Sequence, residues 1–339
     1  MQINLTPKTL RFKKPARTSR GEYTDHRMII VSITDDKGSR MGVGECAPLP
    51  DLSCDRDAYT YLSDVANLLN RALESDSYAD FLRPYPALLF ALESAMYDYQ
   101  QNSLFYSTPF ALGNAGIPIN GLVWMASYDD MLEQVKQKIR QGFRCVKLKI
   151  GAIDWEHEIE LIRFIRSRFS KDMIELRVDA NGAFTPDSAM SHLEELAKYD
   201  IHSIEQPIRQ CQWDEMARLC SESPLPIALD EELIGLNTVR EKCEMLDTIR
   251  PQYIVLKPTL HGGFTGTMEW VSEARKRGIN SWITSALESN IGLKSVALLS
   301  AMIYGPDCSF PQGLGTGQLF VDNIDTGVEI RGSRIWIKN

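Results

Sequence analysis

The sequence predicts an α/β protein: a (β/α)7β barrel preceded by an α+β unit. Three observations carry this. Lys149, Asp179, Glu205, Asp230 and Lys257 each close a short apolar run, at intervals of 30, 26, 25 and 27 residues, about the length of one strand, one helix and two short loops. Eight apolar runs follow one another from Pro118 onward, separated by stretches of helical periodicity. The first third of the chain lacks that rhythm and reads as strands followed by helices.

In chain order, 8–13 and 27–34 read as strands, the second through the β-branched run from Met28 to Ile33. Asp36-Lys37-Gly38 supplies a turn and 41–46 a third strand. The segment 17–23 is polar and irregular, and 47–53 is too rich in proline for regular structure. From 57 to 100 the apolar spacing turns helical, as in Tyr59, Leu62, Val65, Leu68 and Leu69. The eight barrel strands are expected at 119–125, 145–150, 175–180, 202–206, 226–231, 253–257, 281–285 and 307–311. Asp154 and Pro186 stand where helices should start, and Gly142 and Gly278 where helices should stop. After the eighth strand, Gly313-Leu314-Gly315-Thr316-Gly317 leads to two short strand-like runs. The division this implies is an α+β domain over 1–115, with the tail 316–339 packing back on it, and a barrel over 116–315. A doubly wound open sheet is the main competitor, but no strand is followed by a Gly-rich phosphate fingerprint.

A net charge of −8 argues against nucleic acid or an anionic membrane as partner. No apolar run is long enough to cross a bilayer, so no membrane insertion is expected, and the N-terminus lacks the pattern of a signal peptide. The seven cysteines are odd in number and scattered, which suggests reduced, buried thiols in a cytoplasmic protein.

In a parallel barrel the C-terminal strand ends share one face, where such barrels place their active sites. Asp179, Glu205 and Asp230 would then form a site of hard oxygen donors suited to Mg²⁺, with Mn²⁺ as a substitute. No His or Cys joins them, which disfavours Zn²⁺. Lys147 and Lys149 are two apart, so they share a face of one strand. Lys257 comes from the opposite side of the barrel. Two opposed ammonium groups would depress each other, leaving a neutral lysine able to act as a base. The matching reaction removes a proton next to a carboxylate, so a small carboxylate is the expected substrate. Any one such acid is more often a helix cap or a solvated loop carboxylate, but five in register at strand ends are not explained by capping. Arg177 shares the face of Asp179 and is a candidate partner for a ligand carboxylate. Glu231 and Glu232 are candidates for support of the site or for the start of a helix.

With Lys147-Leu148-Lys149, the lone Lys257 and the Asp179, Glu205, Asp230 series, the chain resembles the enolase superfamily, and within it the muconate-lactonizing subgroup. The resemblance implies a modified TIM barrel with an α+β capping domain whose loops, 17–23 and 48–54, close over the substrate. It implies Mg²⁺ on the three carboxylates, Lys149 as the base that also returns its proton to a departing hydroxyl, and Lys257 as the charged stabiliser opposite. Lys147 would tune Lys149 and hold the substrate carboxylate. Lys147, Asn181, Ser285 and Gly313 are the implied substrate contacts. The phrases from Arg177 to Gly182, Leu256 to Gly263 and Thr284 to Ser289 imply a particular member reaction. This is Mg-dependent syn-dehydration of a succinyl-hydroxycyclohexadiene carboxylate through an enediolate, in menaquinone formation. N-succinylamino acid racemization and dipeptide epimerization are the alternatives. The stretch from Gln312 to Thr316 lacks the Asp-x-Asp that would meet a dipeptide ammonium; its backbone amides suit an anionic succinyl arm instead. A degenerate barrel kept only for binding should have lost a ligand or a lysine, and none is missing.

Overall fold

A computed structural model describes residues 2–18 and 21–338, with side chains at 2–16 and 23–338. The first sheet is antiparallel, in the order β1 (Gln2–Thr18), β2 (Gly21–Thr34), β3 (Met41–Cys46). Of the segment 17–23, expected to be irregular, residues 17–18 and 21–23 instead belong to the paired strands β1 and β2, and 19 and 20 lie outside the described residues. Ala16 pairs with Tyr23 and Thr18 with Gly21, after a register break between Arg11 and Ala16. The side chains of 17–22 lie outside the described residues. The polar composition hid these strand ends because the pairing itself is made by backbone groups, which carry no composition signal.

Helices α1 (Leu62–Glu74), α2 (Tyr78–Phe81), α3 (Pro86–Gln100) and α4 (Ser103–Tyr106) follow. Every residue of α3 from Pro86 to Ala95 is buried, the signature of a helix enclosed on all sides. One side packs on Val31, Ile33 and Cys46 of the sheet. The other reaches the barrel, where Phe90 meets Phe264 edge-on at 5.7 Å. Arg83 adds a two-pronged ion pair to Glu269 at 3.0 and 2.8 Å.

After the two-residue β4 (Ile117–Pro118), seven parallel strands form one curled sheet: β5 (Gly121–Val123), β6 (Cys145–Lys149), β7 (Glu175–Asp179), β8 (Ser203–Glu205), β9 (Ile227–Leu229), β10 (Tyr253–Leu256) and β11 (Asn280–Ile283). The crossovers are α5 (Tyr128–Arg140), α6 (Trp155–Arg166), α7 (Pro186–Ala197), α8 (Trp213–Glu222), α9 (Val239–Ile249) and α10 (Gly263–Lys276), and α11 (Asn290–Tyr304) follows β11. Asp154 caps α6 by accepting from Glu156 N, and Pro186 opens α7. Gly142 and Gly278, at φ +81° and +71°, follow α5 and α10, the left-handed geometry that glycine supplies after a helix.

The eighth strand is a correction. It does not run over 307–311 but is reduced to Gln312 and Gly313, which bridge Ile119 on one side and Thr284 on the other. Asn120 N donates to Gln312 O (3.0 Å), and Gly313 N donates to Ile283 O (2.8 Å), so these two residues close the barrel. A Cβ at Gly313 would press on Thr284 Oγ1 and lie 2.5 Å from Thr284 Cβ. The strand consists of two isolated bridging residues, which no apolar run marks, so the pattern pointed a few residues too early. The tail then divides. Residues 319–322 bond to Arg11 and Lys13 of β1, whereas β12 (Val328–Arg331) and β13 (Arg334–Ile337) form a sheet with β4. All seven cysteines are free thiols; Cys46, Cys145 and Cys220 are buried as expected, while Cys54 and Cys211 are exposed.

Candidate active site

Register brings the five spaced residues together. Lys149 pairs with Asp179 across β6 and β7, and Asp179 with Glu205 across β7 and β8. Asp230 and Lys257 follow the last residues of β9 and β10. All five side chains lie within or just above the strand ends and are nearly or fully buried. Lys147 Nζ donates to both oxygens of Glu205 at 2.6 Å and lies 2.9 Å from Asp179 Oδ2. Lys149 Nζ reaches the same Asp179 oxygen at 3.0 Å and donates to Asn181 Oδ1 at 2.5 Å. On the far side Lys257 Nζ donates to Asp230 Oδ2.

Burial opposes the charges of Lys147, Asp179, Glu205, Asp230 and Lys257, and neighbours decide the outcome. For Lys147, Asp179, Glu205 and Asp230 outweigh burial and hold the ammonium well above its ordinary value. Asp179 is as deeply buried, yet Lys147 and Lys149 hold its carboxyl well below the usual range. Glu205 goes the other way, because burial and the adjacent Asp179 and Asp230 push it up more than Lys147 and Lys257 pull it down. Lys257 is lowered by burial but raised further by Asp230, Glu231 and Glu205. The expected mutual depression of the opposed lysines is therefore not what governs Lys257. The surrounding carboxylates keep it an ammonium ion.

Among the described residues, no three His, Cys, Asp or Glu side chains stand as a ready-made metal cage; Lys147 is wedged between two of the expected ligands. The donor set nevertheless suits a hard divalent cation. It is all carboxylate, Asp179 and Asp230 push Glu205 up, and among the described residues Asp230 Oδ1 and Glu231 Oε2 are buried without a hydrogen-bond partner.

The expected substrate contacts fall differently. Asn181, at φ +44°, turns its amide inward. Its Oδ1 accepts from Lys149, and its Nδ2 donates to Glu231 Oε1 at 2.9 Å, so it holds the lysine. Ser285 Oγ donates to Glu288 Oε2 (2.6 Å) and bonds Thr316 Oγ1 (2.5 Å). The Gly313 N–H is taken up by barrel closure. Arg177 does not meet a ligand carboxylate. It lies between the rings of Trp282 and Phe310, each 4.4 Å away, and bonds Glu175 (2.7 Å) and Pro311 O (3.1 Å) in the barrel floor.

Several supporting residues were missed. Gln206 Oε1 accepts from Asp230 N (3.2 Å) and Glu232 N (3.3 Å), and His261 Nδ1 accepts from Lys257 N (2.9 Å). Burial lowers the His261 imidazole to about 3, so it stays neutral and able to accept. The only sequence signal for either was its position, one or four residues beyond a strand-end charge.

Residues 130–337 match the family described as enolase C-terminal domain-like. The chain is 41% identical to the o-succinylbenzoate synthase of Desulfotalea psychrophila, over 99% of both chains. The crystal structure of MenC from Desulfotalea psychrophila superimposes with a TM-score of 0.80 and 38% identity, covering 99% of each chain. A substrate-liganded L-Ala-D/L-Glu epimerase from Bacillus subtilis has a TM-score of 0.82 at 22% identity, covering 100% of this chain and 96% of that one, a likeness of fold.

Proposed function

Because the chain belongs to the enolase C-terminal domain-like family, we propose that it is a lyase of the o-succinylbenzoate synthase type. It would dehydrate a succinyl-hydroxycyclohexadiene carboxylate to o-succinylbenzoate. The observation that carries this is the placement of Lys149 and Lys257 at opposite ends of a buried carboxylate row, within a chain so similar to one such synthase over its full length.

Asp179, Glu205 and Asp230 would hold Mg²⁺, whose charge would stabilise the anion that develops when a proton leaves the carbon beside a carboxylate. Lys149 removes that proton; Asn181 and Asp179 fix its Nζ. The same Nζ, now protonated, then delivers its proton to the departing hydroxyl on the same face. Lys257, kept charged by Asp230 and Glu231, faces the developing negative charge from the other side. Lys147 secures Asp179 and Glu205 relative to each other. Ala47, Leu49, Leu260, Ala286 and Leu287 belong to one apolar cluster against which Leu52 and Trp124 pack.

The test is one assay series with purified protein and Mg²⁺, comparing the cyclohexadiene carboxylate, N-succinylamino acids and L-Ala-Glu dipeptides. The highest kcat/KM is expected on the first. A higher value on either of the others would replace this reading with racemization or epimerization.

A further inference from the structure

Most barrel helices with a capped N-terminus supply the cap themselves. Ser127, Asp154, Thr185 and Thr238 each accept a first-turn amide of α5, α6, α7 and α9. The two helices that follow the Lys257 and Ser285 strands are different. At α10 the capping position is Gly262, which has no side chain to offer. At α11, Ser289 Oγ accepts from Ile291 N, but Ser289 N and Gly292 N need another acceptor.

In both cases the acceptor comes from the N-terminal unit. Glu93, in the middle of α3, accepts from Phe264 N (2.5 Å), Thr265 N (3.2 Å) and Thr265 Oγ1. Glu45, one residue before the end of β3, accepts from Ser289 N (2.9 Å), Gly292 N (2.9 Å) and Ser289 Oγ. In an ordinary capping box, the third helical residue is a Glu or Gln that bonds back to the cap's own N–H. Here that residue is Gly292, and a carboxyl 244 positions away in the chain does the work. The first turn of α10 carries a glycine that makes room for the visitor: a Cβ at Gly263 would press into Glu93 Oε2. At Gly292 a Cβ would first meet Glu288, 2.7 Å from its Cβ, with Glu45 Oε2 3.1 Å away.

Short rigid links run from these caps to the site. Gly263 N donates to Pro258 O (2.8 Å) and His261 N to Lys257 O (3.0 Å), while His261 holds Lys257 N. Beside Ser289, Glu288 takes hydrogen bonds from Ser285 Oγ, Thr259 Oγ1 and Ala286 N. We propose that Glu93 and Glu45 are positioning residues: by capping α10 and α11 from outside the barrel, they make the N-terminal unit set the placement of the rim segments bearing Lys257 and Ser285. The consequence for turnover rests on the lyase reading; the capping itself does not.

Native-state hydrogen exchange on the whole protein tests the capping without any substrate. In the wild type, Phe264, Thr265, Ser289 and Gly292 amides should exchange far more slowly than in an unstructured peptide. Glu93→Ala should speed Phe264 and Thr265 by about tenfold and leave Ser289 and Gly292 unchanged; Glu45→Ala should do the reverse. Glu→Gln at each position keeps an acceptor and should restore most of the protection. With Mg²⁺ and the cyclohexadiene substrate, the Ala variants should lose kcat with little change in KM, and the Gln variants should recover it. Fast exchange of these amides in the wild type, or unchanged protection in a folded Ala variant, overturns the capping. Lost protection with unchanged kcat overturns the positioning role. If an Ala variant does not fold, the wild-type and Gln rates decide the capping. Absence of wild-type turnover defeats only the lyase reading.

Discussion

Gly313→Ala isolates the contact that closes the barrel. The added methyl would overlap Thr284 Oγ1, lie 2.5 Å from Thr284 Cβ and lie 3.1 Å from its Cα. The strand therefore has to move away from β11, straining the bonds Gly313 N to Ile283 O and Ser285 N to Gly313 O, 2.8 and 3.0 Å long. Overpacking of about 1–3 kcal/mol, plus about 1 kcal/mol for a weakened hydrogen bond, gives a destabilisation of roughly 2–4 kcal/mol. Thr284→Gly removes both offending side-chain atoms but also the Thr284 Oγ1 hydrogen bond to Gly313 O (3.0 Å), so alone it should cost about 2 kcal/mol, split between chain entropy and the lost bond. Combined, the two changes should fit together better than either does singly, with a favourable coupling of roughly 1–2 kcal/mol. Equilibrium urea unfolding followed by far-UV circular dichroism measures all four proteins. Additive single changes, within about 0.5 kcal/mol, would refute the packing argument.

Removing one charge from the carboxylate row by Asp230→Asn should weaken Mn²⁺ binding at least about tenfold, read by electron paramagnetic resonance of free Mn²⁺; unchanged affinity would take Asp230 out of the ligand set. Burial, helped by Glu269, pushes the Glu93 carboxyl from 4.5 up to about 7 against the pull of Thr265 and Phe264, with Tyr78 and Tyr97 also nearby. Because the folded value lies above the unfolded one, the protonated form is favoured by folding. Its contribution is complete below pH 4.5 and is lost as pH rises through 7. Glu93→Gln should therefore gain on the wild type by up to about 3 kcal/mol between pH 4.5 and pH 8, measured by urea unfolding at each pH; a difference independent of pH would contradict that shift.

The recurring strand-end charges were legible because a parallel barrel repeats one strand and one helix, so register alone brings Lys149, Asp179 and Glu205 side by side. Caps and stops such as Asp154, Pro186, Gly142 and Gly278 were legible because each acts within a few residues of itself. What escaped depends on contacts between distant segments. The eighth strand is only Gln312 and Gly313, whose bridging partners Ile119 and Thr284 come from other segments, and no local pattern encodes that. The strand ends at 16–18 and 21–23 pair through backbone, and their mostly polar sequence did not announce them. Asn181 as a holder of Lys149, Gln206 beneath Asp230 and His261 beneath Lys257 are polar residues whose partners only the folded chain supplies. Glu45 and Glu93 looked like ordinary charges in a strand and a helix; their meaning lies in Ser289, Gly292, Phe264 and Thr265, far along the chain.

The central claim is that Lys149 is the base, held for that task by Asp179 and Asn181. Steady-state formation of o-succinylbenzoate by Lys149→Met, set beside its Mn²⁺ affinity, tests this most directly. The account predicts a loss of at least about a thousandfold in kcat with metal affinity near the wild-type value. Turnover within about tenfold of wild type, with metal bound normally, would contradict it.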